Sequence, residues 1–402
     1  MYPNILVIIG EGHRADALSC AGSCLIPTPA LDRLSRAGTR FTRAISTNPC
    51  RGPLSLRVLA NGTYTSNGNP EASGEIAGSS FAAMLSAANY VVREVQHTAG
   101  IDDVVSRAID EIHSALGHPT ALFVRLPTVG TFDVPREKLD DLRRKGVPLA
   151  WYFGSISSYD DAVGALLAHV GELEKWQDAF IVYTSTTGEH FKYRDFVGHA
   201  STCHDDSIRV PLLVRYQGKS EEGVSRHEIV GLCDLLPTVA ELLGLRVRPT
   251  DGRSLLPLIL KSSLPASPWR SRILIENVRT RHIAIAGDGT GDGAFRLYPS
   301  YEERAIWDGR MKLVLAASGG ESCLFDQAID PEEEFNLYTL PRKYTQRLYD
   351  QLSERRAQVV AYAKMLKEEA IAIGDTVGTG LADLAINSPD AGTRGPGSPL
   401  TE

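Results

Sequence analysis

Pro3-Asn4-Ile5-Leu6-Val7-Ile8-Ile9 opens the chain, and the reading of this stretch decides the fold. Five consecutive apolar residues make a run of strand length, bounded on one side by Pro and Asn and on the other by Gly10. The run is too short to span a membrane, carries no basic leader and has no small-residue cleavage site before the next element. It is therefore expected to be a buried first strand.

Working outward, apolar runs of strand length alternate with helical patterns. A helix is expected near Ala30 to Ala37, and strands at Ala121 to Leu126, Phe180 to Thr184 and Pro211 to Arg215. This alternation predicts an α/β fold, a mostly parallel sheet sandwiched by helices. Ile101, Val104, Val105, Ala108, Ile109, Ile112 and Leu116 recur at spacings of three and four, the apolar stripe of a helix packed on that sheet. Ile229 to Leu243 should begin as a turn, become helical beside Pro237 and stop at Gly244.

The segment Ser262 to Pro268 reads as a linker. Beyond it, short strand-like runs (Ile273 to Ile275, Lys312 to Ala316, Cys323 to Phe325) precede a charged helix from about Lys343 to Glu369. The expected organisation is a large domain over 1–265, a small C-terminal α+β domain with an antiparallel sheet over 266–372, and a disordered Gly/Thr/Ser/Pro-rich tail over 373–402. The sequence contains no internal repeat.

Composition narrows the function classes. With 402 residues, 43% hydrophobic and 23% charged, the chain can bury a sizeable core. A formal net charge of -7 without long Lys/Arg runs gives no electrostatic footprint for nucleic acid or an anionic membrane, so a small anionic molecule or a protein is the expected partner. Six scattered cysteines without C-x-x-C pairs exclude a zinc knuckle and a small disulfide scaffold, and they fit a reducing, cytoplasmic setting.

Several motifs in chain order resemble the type I sulfatases of the alkaline-phosphatase superfamily. They are the opening run with Arg14-Ala15-Asp16-Ala17-Leu18, Pro27-Thr28-Pro29-Ala30-Leu31-Asp32-Arg33-Leu34, and Gly38-Thr39-Arg40-Phe41-Thr42-Arg43-Ala44. The match continues with Tyr183-Thr184-Ser185, Gly188-Glu189 and Ser207-Ile208-Arg209-Val210-Pro211-Leu212-Leu213-Val214. Asp234-Leu235-Leu236-Pro237-Thr238, Asp251-Gly252-Arg253-Ser254-Leu255-Leu256-Pro257-Leu258 and Asp330-Pro331-Glu332-Glu333-Glu334-Phe335-Asn336-Leu337 complete it. The resemblance covers about residues 3 to 360 and implies the sulfatase fold; function must be argued at the site.

The resemblance also implies a calcium-type ion held by several carboxylates and a formylglycine nucleophile made from C-x-P-x-R. At the matching metal positions this chain has Glu11, Gly12, Thr186 and Thr187, so Glu11 is the one carboxylate and candidate metal ligand retained. The nucleophile region reads Cys50-Arg51-Gly52-Pro53-Leu54-Ser55-Leu56-Arg57, and counting from Phe41 places Arg51 where the cysteine belongs. The family's Lys-Trp-His-Leu-Gly segment is replaced by Gln96-His97-Thr98-Ala99-Gly100, its second lysine falls at or beside His199-Ala200, and Leu126 to Phe132 lacks its histidine.

The same loops keep His13, Cys50, Arg51, His97, Glu189, His190, His199, Cys203, His204 and Asp205. Loops after the carboxyl ends of strands line the crevice of open α/β sheets, so these groups are candidates for one site. His13, Arg51, His190 and His204 are the candidates for catalytic or ligand-binding roles, with Arg51 suited to hold an anion bidentately. Two readings stay open. The chain has lost formylglycine- and calcium-dependent hydrolysis and binds an anionic ligand or partner, or it is a hydrolase or transferase of a small-molecule ester with a rebuilt His/Glu/Cys site. Calcium is not expected as a cofactor, whereas imidazole and thiolate groups would suit a softer ion such as zinc.

Overall fold

A computed structural model of the chain describes residues 2–50, 52–67, 75–96, 100–114, 117–190, 202–261, 268–284, 295–316 and 322–338. The strands are Ile5–Gly10 (β1), Thr39–Phe41 (β2), Ala44–Ile45 (β3), Val91–Val95 (β4), Thr120–Arg125 (β5), Phe180–Ser185 (β6), Leu212–Tyr216 (β7), Val224–Arg226 (β8) and Val230–Gly231 (β9). Four more, Ile273–Ala284 (β10), Phe295–Trp307 (β11), Met311–Ala316 (β12) and Cys323–Asp326 (β13), follow in the C-terminal part. The longer helices are Pro29–Arg36 (α1), Pro53–Asn61 (α2), Ser80–Ala87 (α3), Ile101–Ser114 (α4), Arg136–Arg144 (α5) and Ala150–Glu172 (α6).

Seven strands form one sheet in the order β4-β5-β1-β6-β7-β2-β8. β1 is flanked by β5 and β6, both parallel to it, and β4 runs parallel to β5. β7 reverses direction, pairing antiparallel with both β6 and β2. The mostly parallel α/β sheet is the one that the alternation of apolar runs predicts.

The period of two along a strand explains why the opening run is apolar throughout. Ile5, Val7 and Ile9 point to a core shared with Leu56 and Leu59 of α2, Phe81 and Leu85 of α3, and the helix Leu235–Leu242. Leu6 and Ile8 point to the opposite core, with Leu31 and Leu34 of α1, Val104, Ala108 and Ile112 of α4, and Tyr152, Ile156, Tyr159 and Val163 of α6. A strand covered on both faces has no polar side to show.

Of these helices α6 was not expected from the sequence. It is buried almost all round, and its polar residues are satisfied locally: Ser155 and Ser158 donate to the carbonyls four residues back, at 2.9 and 3.1 Å. Asp160, 3% exposed, does more. Its two carboxylate oxygens accept the Ala30 and Leu31 N–H groups at 3.1 and 2.8 Å, so α6 caps the N-terminus of α1, where Thr28 makes no side-chain cap of its own. Burial raises the Asp160 carboxyl, against the two N–H donors that favour its charged form.

The chain divides into two compact units, Met1–Thr63 with Ala72–Arg270, and Tyr64–Glu71 with Ser271–Glu402. In the first, Asp234 is fully buried and accepts from the Gly231 and Arg253 N–H groups and the Arg270 guanidinium, tying the last residues of the unit to the helix that follows it. In the second, β10-β11-β12-β13 form a wholly antiparallel sheet. Glu276 accepts the Ser66 N–H at 2.9 Å, which attaches the short excursion of the chain near Tyr64 to this sheet, and Lys312 pairs with Glu333 out of reach of solvent. The helix expected from Lys343 to Glu369, the tail 373–402 and most of the Ser262–Pro268 linker lie outside the described residues. No helix among the described residues is long and apolar enough to cross a membrane.

The α6-to-α1 cap gives a direct test of this packing. Asp160→Ala should lower stability to urea by about 2 kcal/mol, since two hydrogen bonds to a charged acceptor are lost. Asp160→Asn should cost less, because it keeps one acceptor oxygen. Equal stability of Asp160→Ala and the parent would contradict the cap.

Candidate functional site

Parallel pairing brings the carboxyl ends of β1, β5 and β6 to one edge of the sheet. Gly10 stands opposite Ser185, and the Leu126 N–H continues the ladder onto the Ile9 carbonyl at 2.9 Å. The loops that follow are then tied by one hydroxyl. Tyr159 of α6 shares its hydrogen between the Glu11 carbonyl (3.0 Å) and the Pro127 carbonyl, and accepts from the Glu11 N–H at 3.3 Å. Only glycine fits at position 10, where a Cβ would lie 2.8 Å from the Tyr159 ring. Gly12, at φ +92°, turns the chain so that its N–H meets the Thr187 carbonyl at 3.1 Å.

Glu11 sits where the three loops converge with α2. One carboxylate oxygen accepts the Gly52 N–H at 3.2 Å, at the entrance of α2, and the other accepts the Thr128 hydroxyl at 2.9 Å. A small pocket opens here, lined by Ile9, Glu11, Gly52, Leu56, Arg125 and Thr186 among others. Thr186 and Thr187 are 3% and 1% exposed, and among the described residues their hydroxyls have no hydrogen-bond partner.

This donor set does not fit a calcium-type ion. Such an ion takes six to eight oxygen ligands, several of them charged. The pocket offers one carboxylate, already engaged by two donors, and neutral hydroxyls at two of the other matching positions. Nor do the histidines and cysteines assemble a zinc site: among the described residues no group of three or more His, Cys, Asp or Glu side chains is placed to hold a metal ion.

The expected cluster instead separates into two places. His13 is fully buried under the sheet edge, its Nδ1 2.6 Å from the Tyr183 hydroxyl, with the rings of Tyr159 and Tyr183 around it. Among the described residues its Nε2 has no partner, and burial lowers its pKa to about 3, with Asp16 opposing. His13 is therefore a neutral packed side chain, turned away from the crevice it was expected to line. His190 and His204 form the second place. Their rings stack at 5.7 Å, and Asp206 meets His190 Nδ1 at 2.7 Å. Arg14, chelated by Asp16, approaches Asp206 at 3.6 Å.

Gly188 explains how this second place is built. A Cβ there would lie 1.9 Å from the Asp206 carbonyl, and the Gly188 N–H bonds to the Ser207 carbonyl at 2.8 Å. The loop after β6 is thus pressed against the short helix Asp205–Ile208 that precedes β7. Glu189 and Cys203 are both buried in this region, and Asp205 pairs with Arg209 at 2.9 Å. Cys50 is half-buried, its N–H on the Asn48 side-chain oxygen at 2.9 Å. Arg51, His97 and His199 lie outside the described residues. As site residues, Tyr159, Tyr183, Thr128, Arg125 and Asp206 were passed over in the sequence. Of these, Tyr159 carried a signal, a phenol seven residues after Tyr152 on one helix face.

A mostly parallel sheet with its loops gathered at the carboxyl ends of β1, β5 and β6, followed by a small antiparallel unit, defines the architecture of the alkaline-phosphatase superfamily. Within it the chain belongs to the sulfatase family, whose profile matches residues 3–102 and 112–245, more than half of the sequence. The multifunctional alkaline phosphatase superfamily protein PehA of Trinickia caryophylli is 34% identical over 134 residues, 32% of this chain and 24% of that protein. The ulvan-active sulfatase of Formosa agariphila is 22% identical over 84% of this chain and 78% of its own length. The endo-4-O-sulfatase of Bacteroides thetaiotaomicron is 25% identical over 54% of this chain, a match that spans 42% of that protein.

Among solved structures, a protein in complex with its substrate D-glucosamine-2-N,6-O-disulfate superposes with a TM-score of 0.70 at 16% identity, over 89% of this chain and 98% of the other. The phosphonate monoester hydrolase of Agrobacterium radiobacter gives a TM-score of 0.68 at 18% identity, over 89% and 96%. At such identities the likeness is one of fold.

The buried His13 makes stability depend on acid in a defined sense. Between the ordinary histidine value of 6.5 and about 3, the unfolded chain takes a proton that the folded site refuses, so His13 lowers stability as pH falls through that window. From pH 6.5 to 5 the effect is about 2 kcal/mol. His13→Gln should remove that part of the acid sensitivity, seen as a smaller drop in melting temperature from pH 7 to pH 5 than the parent shows. Parallel pH profiles for the two proteins would rule out a buried, neutral His13.

Proposed function

We propose that this chain has given up the formylglycine- and calcium-dependent hydrolysis of its family and works by binding an anionic ligand or partner without turning it over. The observation that carries the reading is the state of Glu11. Its carboxylate is spent on the Gly52 N–H and the Thr128 hydroxyl, while buried, neutral Thr186 and Thr187 stand where the resemblance places metal ligands. Without the ion, a nucleophile and the charge developing on a sulfate ester lose the Lewis acid that the family supplies. Position 51, an arginine, offers no thiol to oxidise, and Cys50 stands one residue early with its proline and arginine at the wrong spacing. Binding of an anion is supported by Arg125, which lines the pocket beside Thr186.

A second reading, a divergent hydrolase or transferase acting on a small-molecule ester, has one observation in its favour. Asp206 at 2.7 Å from His190 Nδ1 fixes the ring and leaves Nε2 as its accepting nitrogen, the arrangement of an oriented base. The two readings part on assay. Under the first, the Cys50 peptide has unmodified mass, aryl sulfate and aryl ester are turned over no faster than in buffer, and about millimolar calcium leaves the melting temperature unchanged. Formylglycine, or metal-dependent release of sulfate, sinks the first reading. Metal-independent ester turnover that disappears in His190→Ala establishes the second.

A further inference from the structure

We propose that His113 and His169 form a seat for a divalent ion of the zinc class, a clip between α4 and α6 at the edge of the sheet opposite the crevice. The inference is independent of the binding reading above, since it uses neither Glu11 nor the loops after β1, β5 and β6. α4 and α6 return the chain toward the amino ends of β5 and β6, so their last turns lie at that edge. His113 falls in the last turn of α4 and His169 in the last turn of α6. The core holds both backbones: Ile112 and Val170, the residues beside them, are 0% and 1% exposed, and Trp176 donates its indole N–H to the Ile112 carbonyl at 3.3 Å. Ligands carried on two packed helices are positioned before any ion arrives.

The spacing of the rings is the first observation that points to a cation. Nε2 of His113 lies 3.4 Å from Nδ1 of His169. That is long for a hydrogen bond. Two imidazole nitrogens bound to one tetrahedral ion, each about 2.0–2.1 Å from it, stand about 3.3–3.4 Å apart. The ring planes meet at 75° with centroids 5.5 Å apart, so the two side chains touch through these nitrogen edges rather than by stacking. The helix ends supply the second observation. Two long helices end at one place, and the partial negative charge of their last carbonyls favours a cation there. The third is Glu172, whose Oε2 is 3.8 Å from the same Nδ1 of His169. Its side chain is 70% exposed, so it can turn onto an ion without leaving a packed site. Two imidazoles are fewer ligands than a closed protein site has, and no third is already in place. Glu172 and water complete the shell, a mixed nitrogen and oxygen set that suits zinc and not calcium.

The test is a calorimetric titration with zinc chloride of the full-length protein, stripped of metal by a chelator and carrying no histidine tag. The parent should take up an ion with half-saturation below about 0.1 mM. His113→Ala and His169→Ala should each weaken that uptake about tenfold or more, and the double variant should be little worse than either, because the two rings act as one chelate. Glu172→Gln should lose less, and His227→Ala, a surface histidine bonded to Thr42, should bind as the parent does. Saturating zinc should also raise the parent's melting temperature by a few degrees and that of the two alanine variants by much less, since the ion joins two helices of the folded state. Circular dichroism shows that the variants are folded. Half-saturation above about 0.1 mM in the parent, undiminished affinity in either folded alanine variant, or an equal zinc-induced rise in melting temperature in parent and variants would overturn the proposal. The titration involves no turnover and no residue of the crevice, so its outcome is separate from the loss of hydrolysis, which the Cys50 mass and the aryl sulfate assay decide.

Discussion

The register of β1 between β5 and β6 is the constraint on which the rest of the molecule depends. Because all three run parallel, with Ile9 opposite both Arg125 and Thr184, their loops leave the sheet at one level and on one side. Loops that meet must satisfy their backbone groups against one another. Tyr159 does so from α6, accepting from one loop and donating to two, and Gly12 does so by handing its N–H to Thr187. The glycines at 10, 12 and 188 follow from this crowding. Each stands where a ring or a carbonyl occupies the space of a Cβ, or where the backbone takes a left-handed turn.

Charge balance explains why the replacements at the crevice come as a set. Several carboxylates gathered at the ends of parallel strands repel one another, and a divalent ion is what makes such a group stable. Without such an ion, carboxylates at these positions would destabilise the loops that carry them, and a neutral side chain of similar size is the better solution. Gly12, Thr186 and Thr187 are neutral in this way. The single remaining acid, Glu11, is compensated differently, by a helix start on one oxygen and a hydroxyl on the other. The two buried hydroxyls of Thr186 and Thr187 find no partner among the described residues.

What could be read from the sequence, and what could not, divides along physical lines. β1, β5, β6 and α4 announce themselves through apolar runs and a clean three-four stripe, since their burial is one-sided for the helix and two-sided for the strands. The reversal of β7 carries no such signal: a strand's residues report that it is buried, not which way it runs. α6 escaped notice because burial on nearly all sides leaves no amphipathic stripe, and because Gly154, Ser155, Ser158 and Asp160 dilute its apolar character. β4 is hidden by Arg93 and Glu94. At the site, the residues at the positions matched by the resemblance were legible one by one, whereas the direction of a side chain was not. His13 lies two residues from Glu11 in the same loop and points into the core, to Tyr183.

That divergence between neighbours shows where ordered polar chemistry now resides. At the strand ends the polar groups are neutral hydroxyls and one carboxylate that accepts from an N–H and a hydroxyl. In the segment ahead of β7 a different order holds: Gly188 fixes the two backbones against each other, Asp206 fixes the edge of the His190 ring, and His204 fixes its face. A ring held on edge and face has one orientation, which is what positioning demands of an imidazole. Arg14 reaches this place from the β1 loop through Asp206, so a change in the first loop is felt there through a salt bridge. The β1 and β6 loops are joined by the Gly12 N–H on the Thr187 carbonyl, and the β1 loop meets the segment ahead of β7 through the Arg14–Asp206 contact, neither of which needs a cation to form.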